Sequence, residues 1–238
     1  MCGRYVNAAA TGDLTAEFDV EEVLDEDVAP SWNIAPTDAV RIVVQRSARQ
    51  LRTARWGLVP SWAKDARGGA RMINARIETV TDKPAFKTAA ARRRCLVPAL
   101  GYYEWQRDGA AKIPYFLHDP SGRPLAFAGL YEFWRDPARP EDDPTAWLLS
   151  CTIITAQADD LLGQIHDRTP VLVPPQLRAA WLDCSADDAA VARRLLDGMP
   201  EAHLEPYVVG AAVGNVRNDG PHLIDPVADD RDARNMRG

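Results

Sequence analysis

Arg93-Arg94-Cys95-Leu96-Val97-Pro98-Ala99-Leu100-Gly101-Tyr102-Tyr103-Glu104-Trp105 is the stretch on which the fold turns. Cys95–Pro98 and Gly101–Trp105 are short apolar and aromatic runs, and they read as two strands. The pattern recurs outward. Ile113–Leu117 and Leu125–Tyr131 follow, separated by the turn signal Asp119-Pro120-Ser121-Gly122. Trp147–Thr155 is the strongest strand. Upstream, Val40–Val44 is rich in β-branched residues, Leu51–Trp56 pairs with it as a hairpin, and Ser31–Pro36 is a turn-rich approach.

Helices are expected over 13–28 (an acidic surface helix with a Leu14, Phe18, Val23 stripe), over Thr81–Arg94 from near Pro84, and near 158–164 and 186–198. A strand at 171–173 falls between the last two. Residues 64–70 read as a mobile loop, 135–145 as a polar, Pro-rich loop, and 228–238 as a polar, flexible tail. There is no internal repeat, no midway linker and no βαβ rhythm. The expected fold is α+β: a single domain with a curved, barrel-like, mainly antiparallel sheet flanked by helices. That domain spans 1–226, with 227–238 as tail.

The 238 residues are 46% hydrophobic and 26% charged, enough to bury a real core and to exclude global disorder. No apolar run approaches the ~20 residues of a membrane helix, and Met1-Cys2-Gly3-Arg4-Tyr5 is no secretory leader. A cytoplasmic chain with reduced thiols is expected: Cys2, Cys95, Cys151 and Cys184 are scattered, with no metal-binding spacing. The net charge of −6 hides an asymmetry: residues 41–112 hold 16 Lys/Arg against 5 Asp/Glu. Arginine, whose planar fork bonds two phosphate oxygens at once, outnumbers lysine 24 to 4. A basic middle is a phosphate-facing surface or a solvated, salt-bridged face.

Cys2 is the most unusual placement. Removing Met1 would leave an α-amine of reference pKa about 7.7–8.0 beside a thiol near 8.5. An amine and a thiol two carbons apart can capture one aldehyde twice, as an imine and then as a five-membered thiazolidine. Alone, Cys2 reads as an ordinary small residue, and the chemistry gains weight from its company. Asn74 could orient an amine, and Arg71 and Arg76 could hold phosphate, or this is a surface strand. Glu104, among aromatics, should have a raised pKa unless an arginine pairs with it, which suits acid/base work. His166, in Ile165-His166-Asp167-Arg168-Thr169-Pro170, is the other candidate acid or base. In Trp56-Gly57-Leu58-Val59-Pro60-Ser61-Trp62 the two tryptophans could stack exposed bases or pack in the core.

Taken together, these stretches resemble the SOS response-associated peptidase family, proteins that shield abasic sites in single-stranded DNA. The resemblance rests on MCGRY (1–5), NIAPT (33–37), WGLVPSWAKD (56–65), NARIET (74–79), RRCLVPALGYYEW (93–105), FAGLYEFW (127–134), CTIIT (151–155), IHDRTPVLV (165–173) and NVRNDGP (215–221). It implies that Cys2 is the crosslinking residue after Met1 removal and that Asn74 positions its amine. It implies that Glu104 is the acid/base carboxylate and His166 the proton donor that opens the deoxyribose ring. Arg4, Pro36, Trp56, Trp62, Arg71, Arg76 and Thr155 are the implied DNA contacts. The implied partner is single-stranded DNA bearing abasic sites, met by a monomer on the nucleoid, with no metal or organic cofactor. Own-chain removal of Met1 and abasic-site lyase activity come with the resemblance. Read from residues alone, a cysteine peptidase or N-terminal-nucleophile amidase using Cys2, and a non-catalytic single-stranded DNA-binding module, stay open.

Overall fold

The computed structural model describes residues 2–25, 28–158, 164–201 and 203–227. In chain order the strands are β1 (Tyr5–Asn7), β2 (Glu22–Val23), β3 (Ser31–Ile34), β4 (Ala39–Gln45), β5 (Arg49–Trp56), β6 (Asn74–Arg76), β7 (Arg94–Ala99), β8 (Gly101–Asp108), β9 (Ala111–His118), β10 (Leu125–Arg135), β11 (Trp147–Gln157), β12 (Arg168–Pro170) and β13 (Glu205–Val208). The helices are α1 (Thr11–Glu17), α2 (Lys87–Arg92), α3 (Pro175–Leu182) and α4 (Ala189–Asp197).

Strands β11, β10, β7, β4 and β5 pair antiparallel in that order, and a parallel pairing of Ser150–Cys151 with Arg55–Trp56 returns β11 to β5. The five strands therefore close into a barrel, which leaves this ring without a free edge. The period of two sorts its residues. Ile42, Val44, Cys95, Val97, Cys151 and Ile153 point one way into the central core, while Val43, Leu96 and Ile154 point outward under the helices. The expected α+β architecture with a barrel-like, mainly antiparallel sheet is the one observed.

A second sheet, in the order β13-β9-β8-β1-β3, packs on this barrel. Strands β7 and β8, adjacent in sequence, belong to different sheets, and the chain crosses between them at Leu100-Gly101. A Cβ on Gly101 would lie 2.3 Å from Phe116 Cζ and 2.6 Å from the Leu117 carbonyl, so only glycine fits the crossing. On its far side the second sheet carries a smaller core of Val6, Tyr103, Phe116, Val209, Val213 and Leu223.

Several local expectations need correction. The helix expected over 13–28 stops at Glu17, because Asp19 takes a left-handed backbone (φ 51°). Leu14 and Phe18 are buried as the stripe requires, but Val23 sits exposed on the edge strand β2. Ser31–Ile34 is itself a strand. Residues 64–70 are not irregular throughout: Ala66–Arg71 is a 3-10 helix whose Asp65 cap accepts from the Arg67 N–H at 2.9 Å. Helix α2 begins three residues after Pro84, and β12 precedes the strand expected at 171–173. Helix α3 was not expected; Trp181 and Leu182 bury its inner face. The helix expected near 158–164 and the tail at 228–238 fall largely or wholly outside the described residues.

Candidate active site and nucleic-acid interface

Cys2 stands just before β1 and is fully buried in the core between barrel and second sheet. Burial, and next the charge of Glu104, push its thiol well above the ordinary range. The thiol is therefore neutral at pH 7 in this setting. Its pKa lies above the value near 8.5 of a solvated cysteine.

Strand β6 runs parallel to β11, with Asn74 opposite Ile153. From there the Asn74 Nδ2 donates to the Cys2 carbonyl at 2.7 Å. The other end of the same amide, Oδ1, is buried and has no hydrogen-bond partner among the described residues. An acceptor left over in a buried position needs an explanation, and here it lies one amide width from the Cys2 backbone.

Glu104 reaches the same place from β8, which lies beside β1 through Tyr5–Tyr102 and Val6–Gly101. It is 3% exposed. Burial raises its pKa to about 7, against the pull of the positive chain terminus and of the Trp105 N–H. Both protonation states are thus populated at neutral pH. His166 is delivered by a segment stitched to β8 at both ends. The Gln106 side-chain amide donates to the Gln164 carbonyl at 2.9 Å, and the Tyr102 and Thr169 hydroxyls are 2.9 Å apart.

The His166 Nδ1 accepts from the Arg168 N–H at 3.0 Å and also lies 3.0 Å from an Asp167 carboxylate oxygen. One nitrogen cannot accept from the first and donate to the second. Burial and the positive chain terminus lower the His166 pKa, which favours neutral imidazole with the proton on Nε2. Cys2, Asn74, Glu104 and His166, drawn from positions 2, 74, 104 and 166, are thereby gathered at one site.

The expected nucleic-acid contacts divide. Trp62 is 67% exposed and lines a shallow groove with Pro60, Lys64, Arg67 and Arg71. Arg71, at the end of the 3-10 helix, and Arg76, the last residue of β6, are exposed, and Pro36 is half-buried. Trp56 and Thr155 do not reach the surface, which corrects their placement as contacts. The Trp56 ring packs edge-on to Tyr5 at 5.2 Å, and its indole N–H donates to the Ile73 carbonyl at 2.9 Å. Thr155 is 1% exposed behind the Arg168 guanidinium. Arg4 spends its Nη1 on Asn33 Oδ1 at 2.6 Å and on the Val213 carbonyl at 2.9 Å, and its guanidinium lies over Trp105. It ties the start of β1 to β3 and to the 3-10 turn at 211–214, and it remains half-exposed.

Sequence reading missed Arg168, which grips Glu78 with two hydrogen bonds of 2.6 and 3.1 Å. Its place two residues after His166 was the available signal. It also missed Gln106 and Tyr102, which hold the histidine segment. A separate cavity of about 250 Å3, lined in part by Leu125, Leu172, Arg178 and Leu204, contains none of the candidate residues. Among the described residues no cluster of His, Cys, Asp and Glu could hold a metal, and no helix is long and apolar enough to cross a membrane.

The chain is similar to known proteins over nearly its whole length. The chain is 37% identical over 228 residues to the abasic site processing protein YoqW of Bacillus subtilis, covering 94% of this chain and 99% of that one. It is 31% identical over 233 residues to the abasic site processing protein YedK of Escherichia coli, covering 95% and 100%. A crystal structure of a protein from Bacteroides thetaiotaomicron superposes with a TM-score of 0.78 over 95% of this chain and all of that one, at 22% identity, a likeness of fold. The model of the SOS response associated peptidase (SRAP) family matches residues 1–216. The chain belongs to the SRAP family.

Proposed function

We propose that this protein processes abasic sites in single-stranded DNA by forming a covalent crosslink through Cys2. The observation that carries the reading is the clamp on the Cys2 backbone by Asn74, with a carboxyl group of pKa about 7 beside it. The relatives named above are abasic site processing proteins, which fits the same substrate.

The chemistry begins with loss of Met1, which moves the α-amine onto Cys2. As the closed deoxyribose opens, the bond from C1 to the ring oxygen breaks, neutral His166 gives its Nε2 proton to the departing oxygen, and the C1 hydroxyl proton returns to that nitrogen through water, leaving the C1 aldehyde and an unchanged His166. The Cys2 amine adds to C1. Protonated Glu104 gives a proton to the resulting hydroxyl, which leaves as water and yields the protonated imine. The Glu104 carboxylate then takes the thiol proton, and sulfur adds to C1 as the C=N electron pair moves to nitrogen, which keeps its one proton. The sum is a thiazolidine and one water. Asn74 holds the amine in line through the Cys2 carbonyl, and its free Oδ1 can accept from the amine or from a sugar hydroxyl. The burial that keeps the thiol neutral suits this order, because sulfur acts second, on an activated carbon. A thiol hydrolase would need that thiolate first.

Capture of the strand falls to Trp62, by base stacking, and to Arg71 and Arg76, by phosphate contact. The test is the intact mass of the denatured protein after mixing with an oligonucleotide containing one abasic site. The expected product is a 1:1 adduct lighter than the sum by one water, absent with Cys2→Ala. A processed Cys2 terminus that gives no adduct overturns the reading.

A further inference from the structure

Thr37 has no place in the chemistry above, yet its backbone is among the few in the described residues with a positive φ outside glycine. It stands in the turn Ala35-Pro36-Thr37-Asp38, closed by the Asp38 N–H donating to the Ala35 carbonyl at 3.2 Å. Proline at the second position and φ +78° at the third make this a type II turn, whose third position belongs to glycine or asparagine. A β-branched residue there is a true outlier, and it persists only where its surroundings hold it.

The surroundings hold it in place. The Thr37 N–H donates to the Trp56 carbonyl at 2.8 Å, the Trp56 N–H donates to the Asp38 carbonyl at 2.9 Å, and an Asp38 carboxylate oxygen accepts from the Ala35 N–H at 2.9 Å. Strain kept by so many bonds, where glycine would relieve it, points to a use for the side chain. That side chain is exposed, and its hydroxyl bonds to nothing among the described residues.

The turn also borders the site. Ile34 pairs with Tyr5 in antiparallel β1–β3, so the turn continues alongside the segment that leads to Cys2. The charge of Asp38 is felt by both Arg4 and Tyr5. Trp56, which anchors the turn, bonds through its indole to the carbonyl of Ile73, next to Asn74.

We infer that Thr37 is a strand-positioning residue: its rigidly held hydroxyl donates to a phosphate oxygen of the DNA entering the Cys2 site. The inference rests on the proposed reading of that site as DNA-facing. Three variants separate hydroxyl from strain. Thr37→Val keeps the branched shape and loses the hydroxyl, Thr37→Ser keeps the hydroxyl, and Thr37→Gly loses both hydroxyl and strain.

Binding is read by fluorescence anisotropy with a labelled single-stranded oligonucleotide that has no abasic site. Thr37→Val and Thr37→Gly are expected to raise Kd about three- to tenfold, and Thr37→Ser to stay within twofold. Thr37→Gly is expected to raise the melting midpoint, so stability and affinity move in opposite directions, as a merely structural role would not allow. Unchanged Kd in Thr37→Val, equal loss in Thr37→Ser, or a lowered midpoint in Thr37→Gly overturns the inference. Because the oligonucleotide is intact, this outcome is independent of whether the wild-type protein forms an adduct, which tests the crosslinking reading separately.

Discussion

The side-chain amide of Asn74 donates to the backbone carbonyl of Cys2 at 2.7 Å, so a residue 72 positions away holds the backbone of Cys2. Asn74→Ala removes that donor and leaves the Cys2 carbonyl unpaired in a buried place. Crosslinking to an abasic-site oligonucleotide is expected to slow by about tenfold or more, the scale of one buried hydrogen bond, with affinity for intact single strands within twofold. A matching loss of both would mean that Asn74 acts in DNA binding.

Amine and thiol can be separated at Cys2. Cys2→Ser keeps the α-amine and loses the ring-closing sulfur. With borohydride present it is expected to trap an imine to the abasic site, and without borohydride to give far less stable adduct than the wild type. Acetylating the wild-type amine, with the thiol left free, is expected to abolish adduct. Both are read by denaturing gel and intact mass.

Glu104 binds its proton more tightly in the folded chain (pKa about 7 against an ordinary 4.5). The folded state therefore holds more protons than the unfolded one between these values, and this group's contribution to stability falls as pH rises from about 4.5 through 7. Glu104→Gln is expected to erase that fall, so its melting midpoint gains on the wild type between pH 5 and pH 8. The same substitution should remove the limb near pH 7 from the crosslinking rate profile. Parallel stability curves for the two proteins would contradict the raised pKa.

The two loop tryptophans should behave as opposites. Trp56→Ala empties a core position and is expected to cost about 3–5 kcal/mol of stability. Trp62→Ala should leave the melting midpoint unchanged and weaken single-stranded DNA binding by roughly 1–3 kcal/mol, the worth of one stacked base. Thermal melts and anisotropy titrations at one fixed salt concentration decide both.

Gly57 and Gly69 pack backbone to backbone: a Cβ on either would lie 2.6 Å from the other's carbonyl oxygen. Gly57 also has φ +130°. Gly69→Ala is expected to destabilise by about 1–3 kcal/mol and to shift the 3-10 helix that carries Arg67 and Arg71. Weaker DNA binding should accompany the lower midpoint. A midpoint equal to the wild type would show that the contact yields freely.

The sequence by itself determined the strands of the barrel. Val40–Val44, Cys95–Pro98, Leu125–Tyr131 and Trp147–Thr155 are long enough, and apolar or β-branched enough, to allow little else, and a hairpin is a local event. It also pointed to Cys2, Asn74, Glu104 and His166, through the chemistry their side chains could share and the family motifs that contain them. The rest was decided by contacts between distant segments. Tyr5–Asn7 and Glu205–Val208 are too short to announce themselves, and become strands only because β8 and β9 offer them edges. Trp56 and Trp62 stand six residues apart with the same side chain; one fills the barrel and the other faces water, since only the closed ring has an inside. The Glu104 pKa rises to about 7 and Cys2 keeps its proton because both are buried where barrel and second sheet meet, and burial is a property of the assembled chain.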